Sequence, residues 1–128
     1  MGRAAFWRST LELLSLFKNA EDARNVDDGT VIFDEETPGD VMYVILSGEV
    51  DIFANGLLIE TLGPGDLLGE MALIDSKPRS ASALTRSQCR IAPVDEERFL
   101  QMVREKPEFS LHVMRILAER LRRTTAKV

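Results

Sequence analysis

Between residues 24 and 94 the chain is cut into short β-prone runs by turn residues, and this spacing limits the fold more than anything else in it. The plainest piece is the dipeptide Asn55-Gly56. Both residues tolerate the left-handed backbone that a two-residue hairpin needs. Residues 49–54 lead into it with alternating character, placing Val50, Ile52 and Ala54 on one face, and residues 57–62 return as the partner strand. Further runs at 30–33, 41–46, 80–84 and 89–94 are separated by Asp27-Asp28-Gly29, the polar stretch 34–40, Ser47-Gly48 and Gly63-Pro64-Gly65-Asp66. Short strands at even spacing predict an all-β sandwich or barrel.

Helical patterns flank this region. Residues 6–18 carry Phe6, Trp7, Leu11, Leu13, Leu14, Leu16 and Phe17, an amphipathic helix that covers the core or meets a partner, with Trp7 and Phe17 as its main contacts. Asp95 is a good N-cap, and Glu96 and Glu97 suit the positive end of the helix that follows. Phe99, Leu100 and Val103 are its expected apolar stripe. Pro107 separates a second helix, residues 108–127. There Met114, Leu117 and Leu121 repeat at spacings of three and four, and Thr124 and Val128 continue the series as a short seam for pairing.

A chain of 128 residues is expected to form a single domain, residues 1–128, with its own core. No apolar run reaches the roughly 18 residues of a membrane span, and the start lacks an apolar leader. Cys89 is the sole cysteine, which excludes an internal disulfide and a cysteine metal cluster and points to a reducing cytoplasmic setting. Charge is uneven: residues 1–75 hold 15 acidic and 4 basic side chains (−11) and residues 76–128 hold 6 and 12 (+6), giving the net −5. The acidic front half disfavours general nucleic-acid binding. The basic tail (Arg115, Arg120, Arg122, Arg123, Lys127) reads as a solvated helix face ahead of a nucleic-acid patch. The chain stops at Val128, short of the ~50–60 residues of a helix-turn-helix, so direct DNA binding is not expected.

Residues 65–83 carry the chemistry. After Gly65 and Gly69, Glu70 precedes the apolar run of residues 71–74, which forms one or two helical turns. The first turn of a helix leaves N–H groups that attract an anion. Asp75-Ser76-Lys77-Pro78 ends that helix, and Pro78 extends the chain into Arg79. Arg79 presents a planar fork of donors suited to a phosphate, with the Ser80 hydroxyl beside it. Glu70, itself an anion, suits a sugar hydroxyl. Together they describe a site for a nucleoside monophosphate.

The segment Gly69-Glu70-Met71-Ala72-Leu73, followed by Arg79-Ser80-Ala81, resembles the phosphate-binding cassette of cyclic-nucleotide-binding domains, which occur in bacterial catabolite activator proteins, protein kinase A regulatory subunits and cyclic-nucleotide-gated channels. The likeness runs from about Val26 to Val128. It implies a mainly β fold with flanking helices: an eight-stranded jelly-roll barrel over residues 24–94, with the cassette at 69–81 in its wall. By resemblance Glu70 holds the ribose 2′-hydroxyl and Arg79 the cyclic phosphate. The C-terminal helix serves as dimer seam and closes over the base, where Thr124 and Thr125 match hydroxyl residues that touch adenine. Ser80 and this threonine pair favour cyclic AMP, with cyclic GMP as the alternative. The expected role is a sensor that rearranges residues 108–128 and so regulates an effector protein or a second copy. The alternatives are an excised ligand-binding domain of a larger transcription regulator or channel, or a degenerate roll used for protein interaction.

Competing motifs are weaker. Gly63-x-Gly65-x-x-x-Gly69 is one residue longer than the dinucleotide fingerprint and lies among strands. The lone histidine, His112, is expected at a surface or interface, and Cys89 in the core. With one histidine, neither a metal site nor a nucleophile–base set can be assembled, so no enzyme activity is expected.

Overall fold

The computed structural model describes residues 14–17 and 21–126. Eight strands, β1 (Arg24–Val26), β2 (Val31–Phe33), β3 (Val41–Ser47), β4 (Val50–Ala54), β5 (Leu57–Leu62), β6 (Leu67–Leu68), β7 (Ser82–Thr85) and β8 (Cys89–Asp95), form two antiparallel sheets, ordered β1-β8-β3-β6 and β2-β7-β4-β5. This is the jelly roll. A short helix α1 (Glu70–Asp75) interrupts the strands. Helices α2 (Glu96–Glu105) and α3 (Pro107–Ala126) follow them.

The sequence pattern explains the layering. β3 and β8 are covered on both faces, so they read as nearly continuous apolar runs. Tyr43 and Ile45 of β3, with Cys89 and Ile91 of β8, point between the sheets and meet Val50, Leu62, Leu68 and Ala83. Met42 and Val44, with Ala92 and Val94, point the other way, onto Phe17, Phe109, Val113 and Ile116. Cys89 is in the core, as expected. β4 and β5 join through Asn55 (φ 54°) and Gly56 (φ 77°), the left-handed pair that the hairpin demands.

Strand positions match the sequence pattern with local shifts. Residues 80 and 81 are not in β7, because the backbone of Arg79 is paired with the 34–40 loop: Glu36 N–H donates to Arg79 O (2.8 Å) and Arg79 N–H to Thr37 O (2.9 Å). β1 and the two-residue β6 are too short to leave a periodic signal. Asp95 caps α2 by accepting from Arg98 N–H at 2.8 Å. Leu100 departs from the expected stripe. It is 48% exposed, and Met102 packs inward with Phe99 and Val103, which lie on one helical face while Leu100 is rotated off it. His112 is also not a surface residue. It is 2% exposed, and its Nε2–H donates to Gly65 O at 3.2 Å. Of the helix expected at 6–18, Leu14–Leu16 are helical and Phe17 is fully buried, while the rest, Trp7 included, lies outside the described residues. No helix among the described residues is long and apolar enough to cross a membrane.

Candidate ligand-binding site

The cassette is fixed to the roll before its chemistry begins. Ile45 N–H donates to Asp66 O (3.0 Å) and Gly65 N–H to Ile45 O (2.8 Å), and β6 then pairs with β3 and runs directly into α1. Gly69 caps α1 in the left-handed region (φ 71°) and offers no side-chain cap, which leaves the first-turn N–H groups to other acceptors. Ser76 closes the helix, also left-handed, with its N–H on Ala72 O at 3.0 Å.

Arg79 then turns inward and is 6% exposed. Its Nη1 donates to Gly69 O (3.1 Å) and its Nη2 to Val41 O (2.7 Å), while the guanidinium lies over the Phe33 ring at 4.3 Å. Two glycines make this possible: a Cβ on either Gly39 or Gly69 would overlap the guanidinium. Arg79 Nε has no hydrogen-bond partner, and no carboxylate pairs with Arg79 among the described residues. The alternative reading of this residue, a structural ion pair, is therefore not what the structure contains. A buried cation held only by carbonyl dipoles and a ring face is strongly biased toward an anion.

Glu70 is 5% exposed and forms an ion pair with Arg120 of α3, whose Nη2 also donates to Leu67 O at 2.6 Å. Close by, Arg123 Nη1 donates to Glu60 Oε1 of β5 at 3.1 Å. The basic tail is thus only partly a solvated face. Arg120 is drawn in against Glu70, whereas Arg122 and Arg123 are both exposed, Arg123 reaching Glu60 from the surface. The signal was available, since Phe109, His112, Val113, Ile116 and Arg120 share the 3.6-residue stripe that α3 turns to the roll.

These groups converge on a cleft of about 380 Å³. Of the residues expected in the site, Gly69, Glu70, Met71, Ala72, Arg79, Ser80 and Ala81 line it. Leu73 does not: it packs on the helix-side core and borders a neighbouring, larger groove of about 620 Å³ that holds neither Glu70 nor Arg79. The side chains of Thr124 and Thr125 lie outside the described residues. Sequence reasoning missed the opposite wall, Phe33, Ile52, Ala54, Ile59 and Glu60, and Arg120 beside it. Under the cleft, burial lowers the pKa of His112 and raises that of Asp66. The Gly65 hydrogen bond and the Asp66 charge partly offset the first shift, and the Gly63 N–H partly offsets the second.

A buried anion-seeking guanidinium and a carboxylate lining one cleft in the wall of a jelly roll define a class, and comparison with known proteins agrees. The model of the cyclic nucleotide-binding domain matches residues 23–106. The chain belongs to the cyclic nucleotide-binding domain family. It is 37% identical over 101 residues to the CRP-like cAMP-activated global transcriptional regulator of Mycobacterium tuberculosis, covering 75% of this chain and 45% of that protein. It is 36% identical over 87 residues to the cAMP-dependent protein kinase regulatory subunit of Aspergillus niger, covering 66% of this chain and 21% of that one. The catabolite activator protein of Thermus thermophilus superimposes with a TM-score of 0.76 at 29% identity, over 92% of this chain and 56% of that one. The chain thus spans less than half the length of either curated relative.

Proposed function

We propose that this chain is a cytoplasmic cyclic-nucleotide sensor that regulates rather than catalyses, with cyclic AMP as its ligand ahead of cyclic GMP. The observation that carries the reading is the buried Arg79, whose charge has no acidic partner among the described residues and whose Nε is unsatisfied. A cyclic phosphate supplies the missing anion. The Ser80 hydroxyl and the uncapped first turn of α1 add donors. Glu70 takes the ribose 2′-hydroxyl. Two relatives named for cAMP-dependent activity support the choice of nucleotide, and Thr124 and Thr125, matched by resemblance, are assigned to the base.

The response follows from the Glu70–Arg120 contact. A sugar hydroxyl on Glu70 changes what Arg120 is bound to, and Arg120 is part of α3. α3 is docked on the segment that enters the cassette at Gly65 through His112 and at Leu67 through Arg120. Ligand binding therefore biases α3 between two placements, by as much as its affinity differs between them. The partner that senses α3 is an effector protein or a second copy docked through residues 108–128, and direct DNA contact is not part of the proposal.

Titration calorimetry with cyclic AMP and cyclic GMP tests the reading. Binding is expected, and Arg79→Ala weakens it by about 2–5 kcal/mol. The absence of heat with either nucleotide at millimolar concentration overturns it. Hydrogen exchange tests the coupling: protection in α3 changes on adding ligand, and unchanged protection there removes the proposed output.

A further inference from the structure

β5 carries one acidic side chain, Glu60, in the apolar run Leu57–Leu62. Adjacent residues of a regular strand face opposite sides, yet Ile59 and Glu60 both line the cleft. The register explains this. Ile52 pairs with Glu60 but Phe53 pairs with Leu58, so Ile59 is the extra residue of a β-bulge. Bulges re-aim side chains and are features rather than defects. This one keeps a carboxylate on the face of Ile52, inside the cleft. Glu60 accepts one hydrogen bond, from Arg123 to Oε1, and a carboxylate has two oxygens to offer.

The phosphate and sugar assignments, on which this inference rests, use the cassette wall. The base is left the opposite wall, β4 and β5, with α3 beside it. A carboxylate accepts and never donates, so it attracts an amino group and repels a carbonyl oxygen. We propose that Glu60 reads the base, selecting a purine that bears an exocyclic amino group: N6 of adenine or N2 of guanine.

The test is calorimetry on the full chain with cyclic AMP, cyclic GMP and the 3′,5′-cyclic phosphate of unsubstituted purine riboside, whose base has neither an amino group nor an N1–H. The wild type binds at least one amino purine about tenfold or more tighter than the unsubstituted purine nucleotide, the scale of one hydrogen bond to a charged group. If cyclic AMP is the favoured partner, the N6 amino group is the one read; if cyclic GMP, the N2 group. In Glu60→Gln that ratio shrinks toward one, because the neutral carboxamide oxygen is a weaker acceptor than the carboxylate. Arg79→Ala weakens all three and keeps the ratio. A wild-type ratio near one, or Glu60→Gln lowering all three equally, overturns the role of Glu60 while leaving the sensor reading intact. No binding of any of the three overturns both.

Discussion

At the scale of single residues, the site depends on how Arg79 is held. The guanidinium is desolvated, spends two N–H groups on carbonyls and rests on Phe33. Its position therefore depends on residues that need never touch ligand. Gly39→Ala introduces a methyl group where the guanidinium lies. It is expected to destabilise the fold by about 1–3 kcal/mol, as overpacking does, and to weaken nucleotide binding by displacing Arg79. Calorimetry and thermal melting check both effects, and native affinity in this variant contradicts the proposed geometry. His112 makes a pH prediction. Its folded pKa is lowered from 6.5, chiefly by burial, so below that pH the unfolded chain takes up a proton that the folded chain resists. The stability it contributes is present above pH 6.5 and is lost as pH falls through the folded value. Asp66, with its raised pKa, works in the opposite direction at more acidic pH. His112→Gln does not titrate, so its melting temperature falls less than that of the wild type between pH 7 and pH 5.

At the scale of elements, α3 is where packing and the site meet. Phe109, Val113 and Ile116 are 1–3% exposed and bind the helix to β3 and β8 through Met42, Val44, Ala92 and Val94. On the same face Arg120 reaches Glu70. Ile116→Ala is expected to cost about 2–5 kcal/mol of stability, measured by denaturant unfolding. Because Ile116 does not line the cleft, affinity should fall far less than in Arg79→Ala. The β4–β5 hairpin is the other element with a role: its bulge aims Glu60, and its tip is set by Asn55-Gly56.

At the scale of the whole molecule, the described residues pack between the sheets and beneath the helices, while apolar side chains on the outer side of α3 are exposed. Met114 is 56% exposed and Leu121 67% exposed, the two outer positions of the seam at spacings of three and four, while Leu117 turns to the core. Where the partner in the proposed function is a second copy, this face is the homodimer seam. Sedimentation should give twice the chain mass, and the double change Met114→Glu with Leu121→Glu should give a monomer that still melts cooperatively. A wild-type chain that is monomeric throughout its working range leaves the second-copy output without support.

The roll, the hairpin, the α2 cap and the cassette were legible in the sequence because each rests on local chemistry: alternation, a left-handed dipeptide, a capping aspartate, and a carboxylate and an arginine separated by a helix and a proline break. What the sequence did not disclose depends on residues distant along the chain. Arg120 looked solvated until α3 lay against Glu70, and His112 looked exposed until the turn at Gly65 offered its carbonyl. Glu60 sat in an unremarked strand until a bulge turned it into the cleft. Local pattern fixes which element a residue joins. Only the packing of one element on another decides which charges are desolvated and which partners they find.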